Sequence, residues 1–207
     1  MNRANSSNTL AENTKIMKKN LILIGPPGAG KGTQAERLKV FLKVPHISTG
    51  DIFRWHIQAK TDLGKKAQDY TISGQLVPDS LLFDLIRSRL SEEDAQQGWI
   101  LDGFPRTIPQ AEFLEALLKE LKYHLDCVLE LKVSDAIAKE RMARRAMEAK
   151  PPRPDDADPG VCATRLEVYW NQTSPLLKFY KTQKKLITIS GDPAADEVTT
   201  ALKDMLV

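Results

Sequence analysis

The sequence predicts an α/β fold in which a five-stranded parallel sheet carries helices on both faces. Three observations lead there. Short apolar runs alternate with amphipathic stretches from residue 20 to 206, a glycine-rich loop joins the first run to a helical pattern, and 207 residues at 42% hydrophobic and 28% charged content suffice for one well-filled core.

In chain order, residues 1–18 are rich in Asn, Ser and Thr, show no apolar periodicity, and predict a disordered tail ahead of a single domain at 19–207. Leu21 to Ile24, Val44 to Ile47, Trp99 to Leu101, Cys127 to Leu131 and Leu186 to Ile189 are the strand candidates. Helical patterns between them favour right-handed crossovers and hence a parallel sheet. Residues 50–90 interrupt the alternation with helical segments alone, one opening at Pro78-Asp79-Ser80 ahead of Leu81-Leu82-Phe83. Residues 150–161 hold four prolines and a glycine and predict irregular chain. Both interruptions are expected to border a ligand cleft.

Charge and composition exclude several classes. Of the formal +3, residues 1–20 contribute four basic groups (Arg3, Lys15, Lys18, Lys19) and one acidic (Glu12), which leaves 26 of each sign elsewhere. A neutral body does not offer the broad basic field of a nucleic-acid surface. Cys127 and Cys162 stand 35 positions apart with three histidines spaced unlike a zinc site, so reduced structural thiols are expected. No apolar run approaches the length that crosses a bilayer, and residues 1–20 lack the apolar centre of a secretory signal, so a cytoplasmic location without membrane contact is expected.

The loop Gly25-Pro-Pro-Gly-Ala-Gly-Lys-Gly-Thr33 carries the first chemistry. Glycines at 25, 28, 30 and 32 let successive N–H groups turn inward around an anion at a helix N-terminus, and Lys31 adds a full positive charge. Its strand-loop-helix setting is that of a P-loop, with one departure: Gly32 stands where Ser or Thr usually follows the lysine, and Thr33 comes one step later. Three further stretches stand out: Ser48-Thr49-Gly50-Asp51-Ile52-Phe53-Arg54, Leu101-Asp102-Gly103-Phe104-Pro105-Arg106-Thr107-Ile108-Pro109-Gln110, and a basic run holding Arg141, Arg144, Arg145 and Arg153 that continues to Asp155, Asp156 and Arg165. Singly, each residue has a plain structural use. Thr49 suits a helix cap, Arg54 a solvated helix charge, Gln110 an exposed first turn, and Asp102 a turn after its strand. A carboxylate at that strand end also suits the ordering of water around Mg²⁺. Arg141 and Arg145 are four apart and share a helical face.

Together these motifs and their spacing resemble the adenylate kinases, over essentially all of residues 20–206, in the form with a short lid and no zinc. The resemblance implies an ATP site at Gly28, Ala29, Gly30, Lys31, Gly32, Thr33, Arg141, Arg145 and Gly191. It implies an AMP site at Thr49, Arg54, Gln75, Leu76, Val77, Gly103, Phe104, Pro105, Arg106, Gln110, Arg153 and Arg165, with Lys31, Arg106, Arg141, Arg153 and Arg165 acting on the transferring group. Arg144 is then the outward, solvated member. It further implies Asp102 reaching Mg²⁺ through water, an AMP-binding segment at about 48–77, a lid at about 146–162, and a monomer. Threonine at 49, commonly alanine in the related pyrimidine nucleotide kinases, argues for AMP. The activity implied is reversible, Mg²⁺-dependent transfer of the terminal phosphoryl group of ATP to AMP, giving two ADP in adenine nucleotide homeostasis. Alternatives are a UMP or CMP kinase, a GTP-dependent AMP kinase and, more distantly, a non-catalytic nucleotide sensor.

Overall fold

Five strands among the described residues form the predicted sheet. A computed structural model describes residues 17–148, 156 and 158–207. Strands β1 (Asn20–Ile24), β2 (His46–Ser48), β3 (Trp99–Asp102), β4 (Cys127–Lys132) and β5 (Leu186–Ser190) lie in the order β2-β3-β1-β4-β5, every pair parallel. Register is set at the centre, where Ile22 stands opposite Leu101 on one side and Val128 on the other. Both faces are buried, so the central strands are apolar throughout rather than alternating. Ile22, Leu101 and Val128 face one core, and Leu21, Leu23, Ile100, Leu129 and Leu131 the other.

The helices follow the crossovers: α1 (Lys31–Leu42), α2 (Thr49–Gln58), α3 (Asp62–Ser73), α4 (Asp79–Leu90), α5 (Ile108–Glu120), α6 (Asp135–Glu148), α7 (Pro159–Val168), α8 (Pro175–Thr182) and α9 (Ala195–Leu206). α1 packs Ala35, Leu38 and Leu42 into the second core beside Leu202 and Leu206 of α9, while Leu114 and Leu117 of α5 and Tyr180 of α8 fill the first. Side-chain caps start several of them: Ser48 Oγ accepts from Asp51 N at 3.2 Å, Thr61 Oγ1 from Gly64 N at 3.1 Å, and Thr107 Oγ1 from Gln110 N at 3.3 Å. Both cysteines are buried and unbridged. No described helix is long and apolar enough to cross a membrane.

Two expectations need correction. The second strand begins at His46, not Val44, because the N–H of Val44 closes the end of α1 on Lys39 O and Pro45 has none to give a ladder. Within the stretch expected to be irregular, Pro159 opens α7: a fixed φ suits the first helical position, and Asp158 caps it by accepting from Gly160 N at 2.7 Å. Of the expected tail, residues 1–16 lie outside the described residues, whereas Lys18 N bonds Leu206 O at 3.1 Å.

α1, α5 and α8 end on lysines in the left-handed region, with φ of 58° at Lys43, 59° at Lys122 and 58° at Lys184. That backbone costs an L-residue roughly 1–2 kcal/mol, while glycine gives back about 0.5–1 kcal/mol in unfolded-state entropy. Lys122→Gly and Lys184→Gly, both at exposed positions, should each raise stability by about 0.5–1 kcal/mol, read from the urea midpoint at unchanged slope.

Candidate functional site

The C-terminal edge of the sheet gathers the loops after β1, β2 and β3, and each brings a charged group to one cleft. The loop after β1 passes over α6 so closely that a Cβ on Gly28, at φ +85°, would stand 2.3 Å from Ala138 O, and only glycine fits. Gly30 precedes α1 with nothing within 4 Å of where its Cβ would be, and no side chain caps the first N–H groups of α1. A helix end with orphan donors and an adjacent lysine is a ready anion site. Lys31 Nζ meanwhile donates to Gly25 O at 2.7 Å and Pro26 O at 3.0 Å. Burial drives its pKa down to about 8; the charges of Arg106, Arg165 and Arg145 push the same way, against Asp102.

Asp102, at the end of β3, caps no turn. Burial opposes its ionisation, but the nearby imidazole of His46 and the charges of Lys31 and Arg106 hold its carboxyl below the usual range. His46 Nδ1 meets Glu36 Oε1 at 2.7 Å and Nε2 stands 3.6 Å from Asp102 Oδ2, and this pair of carboxylates outweighs burial and raises the imidazole's pKa. A cation carried in on phosphates and keeping most of its waters needs only one or two carboxylates. Asp102 fits that need, and Gly32, from which a Cβ would lie 3.8 Å from Asp102 Oδ2, leaves room beside it. Among the described residues no group of three or more His, Cys, Asp or Glu could hold a metal by itself.

The arginines converge on the same cleft. Arg54, Arg106, Arg145 and Arg165 line it with Gly28, Lys31, Gly32, Thr33 and Asp102. Arg54, half-buried, folds its guanidinium over Gly50 and bonds the exposed Asp51 Oδ1 at 2.5 Å, one turn back on the same helix. Arg106 Nε donates to Gly103 O at 2.9 Å. Arg145 and Arg165 share the fully buried carboxylate of Asp156, with Arg145 Nη2 at 2.7 Å and Arg165 Nη1 at 2.5 Å from Oδ1. Burial works against that charge, and the hydrogen bonds and charges of both arginines keep it ionised.

Two side chambers open from this centre. One is bordered by Thr49, Arg54, Gly74, Gln75, Leu76, Val77, Gly103, Arg106, Gln110 and Arg165. Thr49 is buried and is not the cap, a role that Ser48 takes. Gln110 lies in the first turn of α5 yet is 1% exposed. Gly74, at φ +76°, lets the end of α3 approach α7: a Cβ there would meet Arg165 Cγ at 2.8 Å. The other chamber is bordered by Ala29, Gly30, Thr33, Arg141, Arg144 and Gly191, with Arg141 donating to Gly191 O at 2.7 Å and Asp192 O at 3.0 Å. Arg144 is exposed, as expected.

Most residues singled out from the sequence therefore meet. Phe104 does not present its side chain, which is 1% exposed in the first core and edge-on to Phe113, while Pro105 borders the cleft behind the loop. Arg153 and Asp155 lie outside the described residues, as does much of the expected lid. Sequence reasoning missed His46, Asp51 and Asp79. His46 is the one polar residue in its apolar run and offered a faint signal; the other two look like ordinary acids in a first helical turn.

Comparison with known proteins gives one family. The family model described as adenylate kinase matches residues 23–185. The chain is 50% identical over 186 residues to an adenylate kinase of Cyanothece sp., covering 90% of this chain and 94% of that one. It is 48% identical to adenylate kinase 1 of Nostoc sp., covering 90% and 97%, and 41% identical to an adenylate kinase of Methanosarcina acetivorans, covering 90% and 98%.

The half-buried ammonium of Lys31 makes a pH prediction. A folded-state pKa of about 8, against 10.5 when unfolded, means that the unfolded chain holds more protons between those values, so Lys31 makes stability rise with pH across that window. Cys127, pushed up to about 12, acts in the opposite sense above pH 9. The difference between wild type and Lys31→Met isolates the lysine: the variant should be the more stable at pH 7, and the gap should close towards pH 10.5, as measured by denaturant unfolding of the ligand-free protein.

Proposed function

Given that the chain belongs to the adenylate kinase family, we propose that this cleft transfers the terminal phosphoryl group of ATP to AMP, reversibly and with Mg²⁺ accompanying ATP, to give two ADP. The observation that carries the reading is the convergence of two anion-binding surfaces, the Lys31 loop and the Arg54-Arg106-Arg165 set, on one hollow. The donor's phosphates lie along Gly28–Thr33 with its base in the chamber of Arg141 and Gly191. The acceptor lies in the chamber of Thr49, Gln75, Leu76, Val77 and Gln110, its phosphate on Arg54 and Arg106.

The chemistry asks little of acids and bases. An oxygen of the AMP phosphate, already ionised near neutral pH, forms the new bond to the γ-phosphorus as the bond to the β–γ bridging oxygen breaks; no proton needs to be removed first. Repulsion between the two anions is the obstacle. Lys31, Arg106, Arg145 and Arg165 offset it by placing positive charge where the transferring group passes, in a site poor in water. Mg²⁺ accompanying ATP would neutralise charge on the phosphates, and Asp102 is the residue that would hold it through water.

Water competes as acceptor, so the two interruptions of the α/β alternation serve as covers: residues of about 48–77 over AMP and about 146–162 over ATP, the latter bringing Arg153. Asp156 already ties Arg145 of α6 to Arg165 of α7, which supports that role for the segment between them. The enzyme is taken to be a cytoplasmic monomer of nucleotide metabolism.

Formation of ADP from ATP plus AMP, followed in a coupled assay, tests the reading directly. Arg106→Ala should lower kcat by about 10²–10³ with far-UV circular dichroism and melting unchanged. Unaltered turnover would remove Arg106 from the site.

A further inference from the structure

Gln110 borders the proposed acceptor chamber, yet two groups of the protein already hold its amide. Its Oε1 accepts from the backbone N–H of Arg106 at 2.7 Å, and its Nε2 donates to Asp79 Oδ1 at 2.7 Å. A peptide N–H can only donate and an ionised carboxylate can only accept, so the two contacts together admit one orientation of the amide. Each amide atom keeps one unused valence, a lone pair on Oε1 and an N–H on Nε2. An acid in the first turn of α4 is ordinary for the helix dipole. A bond from that acid to a buried side chain of α5, 31 positions on, is not explained by the dipole.

The fixed orientation bears on which purine is accepted. On either edge adenine presents its amino group beside a ring-nitrogen acceptor, the pattern that one Gln amide pairs with twice. A 6-oxopurine carries a carbonyl oxygen in place of the amino group, and that oxygen would face Oε1. On the N1 edge, where a 6-oxopurine carries an N–H, rotating the amide by a half-turn would repair the match, but it would turn Oε1 against the Asp79 carboxylate and Nε2 against the Arg106 N–H; on the N7 edge, where O6 and N7 both accept, neither orientation matches. We propose that Asp79 is a positioning residue for acceptor specificity: by clamping the Gln110 amide it admits 6-aminopurine monophosphates and rejects 6-oxopurine monophosphates. The inference rests on the reading that this chamber takes the acceptor's base.

The test compares kcat/KM for AMP and for IMP at saturating ATP in wild type, Asp79→Asn, Asp79→Ala and Gln110→Ala. Asparagine can either accept from the amide or donate to it, so Asp79→Asn should raise the IMP-to-AMP ratio by about tenfold, while KM for ATP stays unchanged. Asp79→Ala, which removes the carboxylate half of the clamp and leaves only the Arg106 N–H to orient the amide, should move the ratio the same way and serves if the asparagine variant melts early. A structural role alone would lower both efficiencies together; a constant ratio in the folded Asp79 variants, with Gln110→Ala still shifting it, overturns the role of Asp79. If Gln110→Ala leaves the ratio unchanged as well, the placement of the acceptor base itself is wrong.

Discussion

Mutual repulsion among cations is the constraint on which the site depends. Lys31, Arg106, Arg145 and Arg165 are drawn close enough for the three guanidinium charges to depress the lysine. Like charges in a poorly hydrated hollow separate unless something holds them. Two carboxylates, one fully buried and one half-buried, do so here. Asp156 spans Arg145 and Arg165 with its side chain removed from solvent, and Asp102 faces Lys31 from the end of β3, steadied by His46 and Glu36 behind it. These acids leave the cleft positive on balance, which is the condition for two phosphates to be brought end to end.

Topology supplies the convergence. With β1 at the middle of the order β2-β3-β1-β4-β5, the loops leaving β1 and β3 lie side by side, so that Lys31 at the start of α1 and Asp102 at the end of β3 face the same space. The N-terminus of α1 points there without a capping side chain, whereas α2, α3 and α5 are capped by Ser48, Thr61 and Thr107. Leaving those donors orphaned costs the empty fold some stability that an anion restores.

What the sequence revealed divides along the range of the interactions. The glycine-rich loop between β1 and α1 was legible because glycine spacing, lysine and following helix are all local. The five strands were legible because both sheet faces are buried and each strand is a plain apolar run, although β2 slid by two residues where Pro45 and the closure of α1 intervene. Pro159 misled, since proline reads as a breaker until its place at a helix start is known. The partners of Gln110 and Asp102 were not legible, for Asp79 lies 31 positions from Gln110, and His46 reaches across from β2 to β3. No period or composition signals a contact made only by folding.

The two base chambers, on the proposed assignment, are built by different means, and that difference bears on selectivity. The acceptor side relies on side chains whose polarity other groups fix: Thr49 is buried against Asp102 O at 3.5 Å, and Gln110 is held at both amide atoms. A wrong base there must leave a buried donor or acceptor unmatched, and an unmatched buried polar group is costly. The donor side is walled by main chain, with Arg141 donating to the carbonyls of Gly191 and Asp192. A cation spread over peptide oxygens offers a flat surface rather than a pattern of donors and acceptors, and bases of different edge chemistry stack on it alike. Selectivity therefore concentrates in the chamber whose polar side chains have no freedom left to adapt.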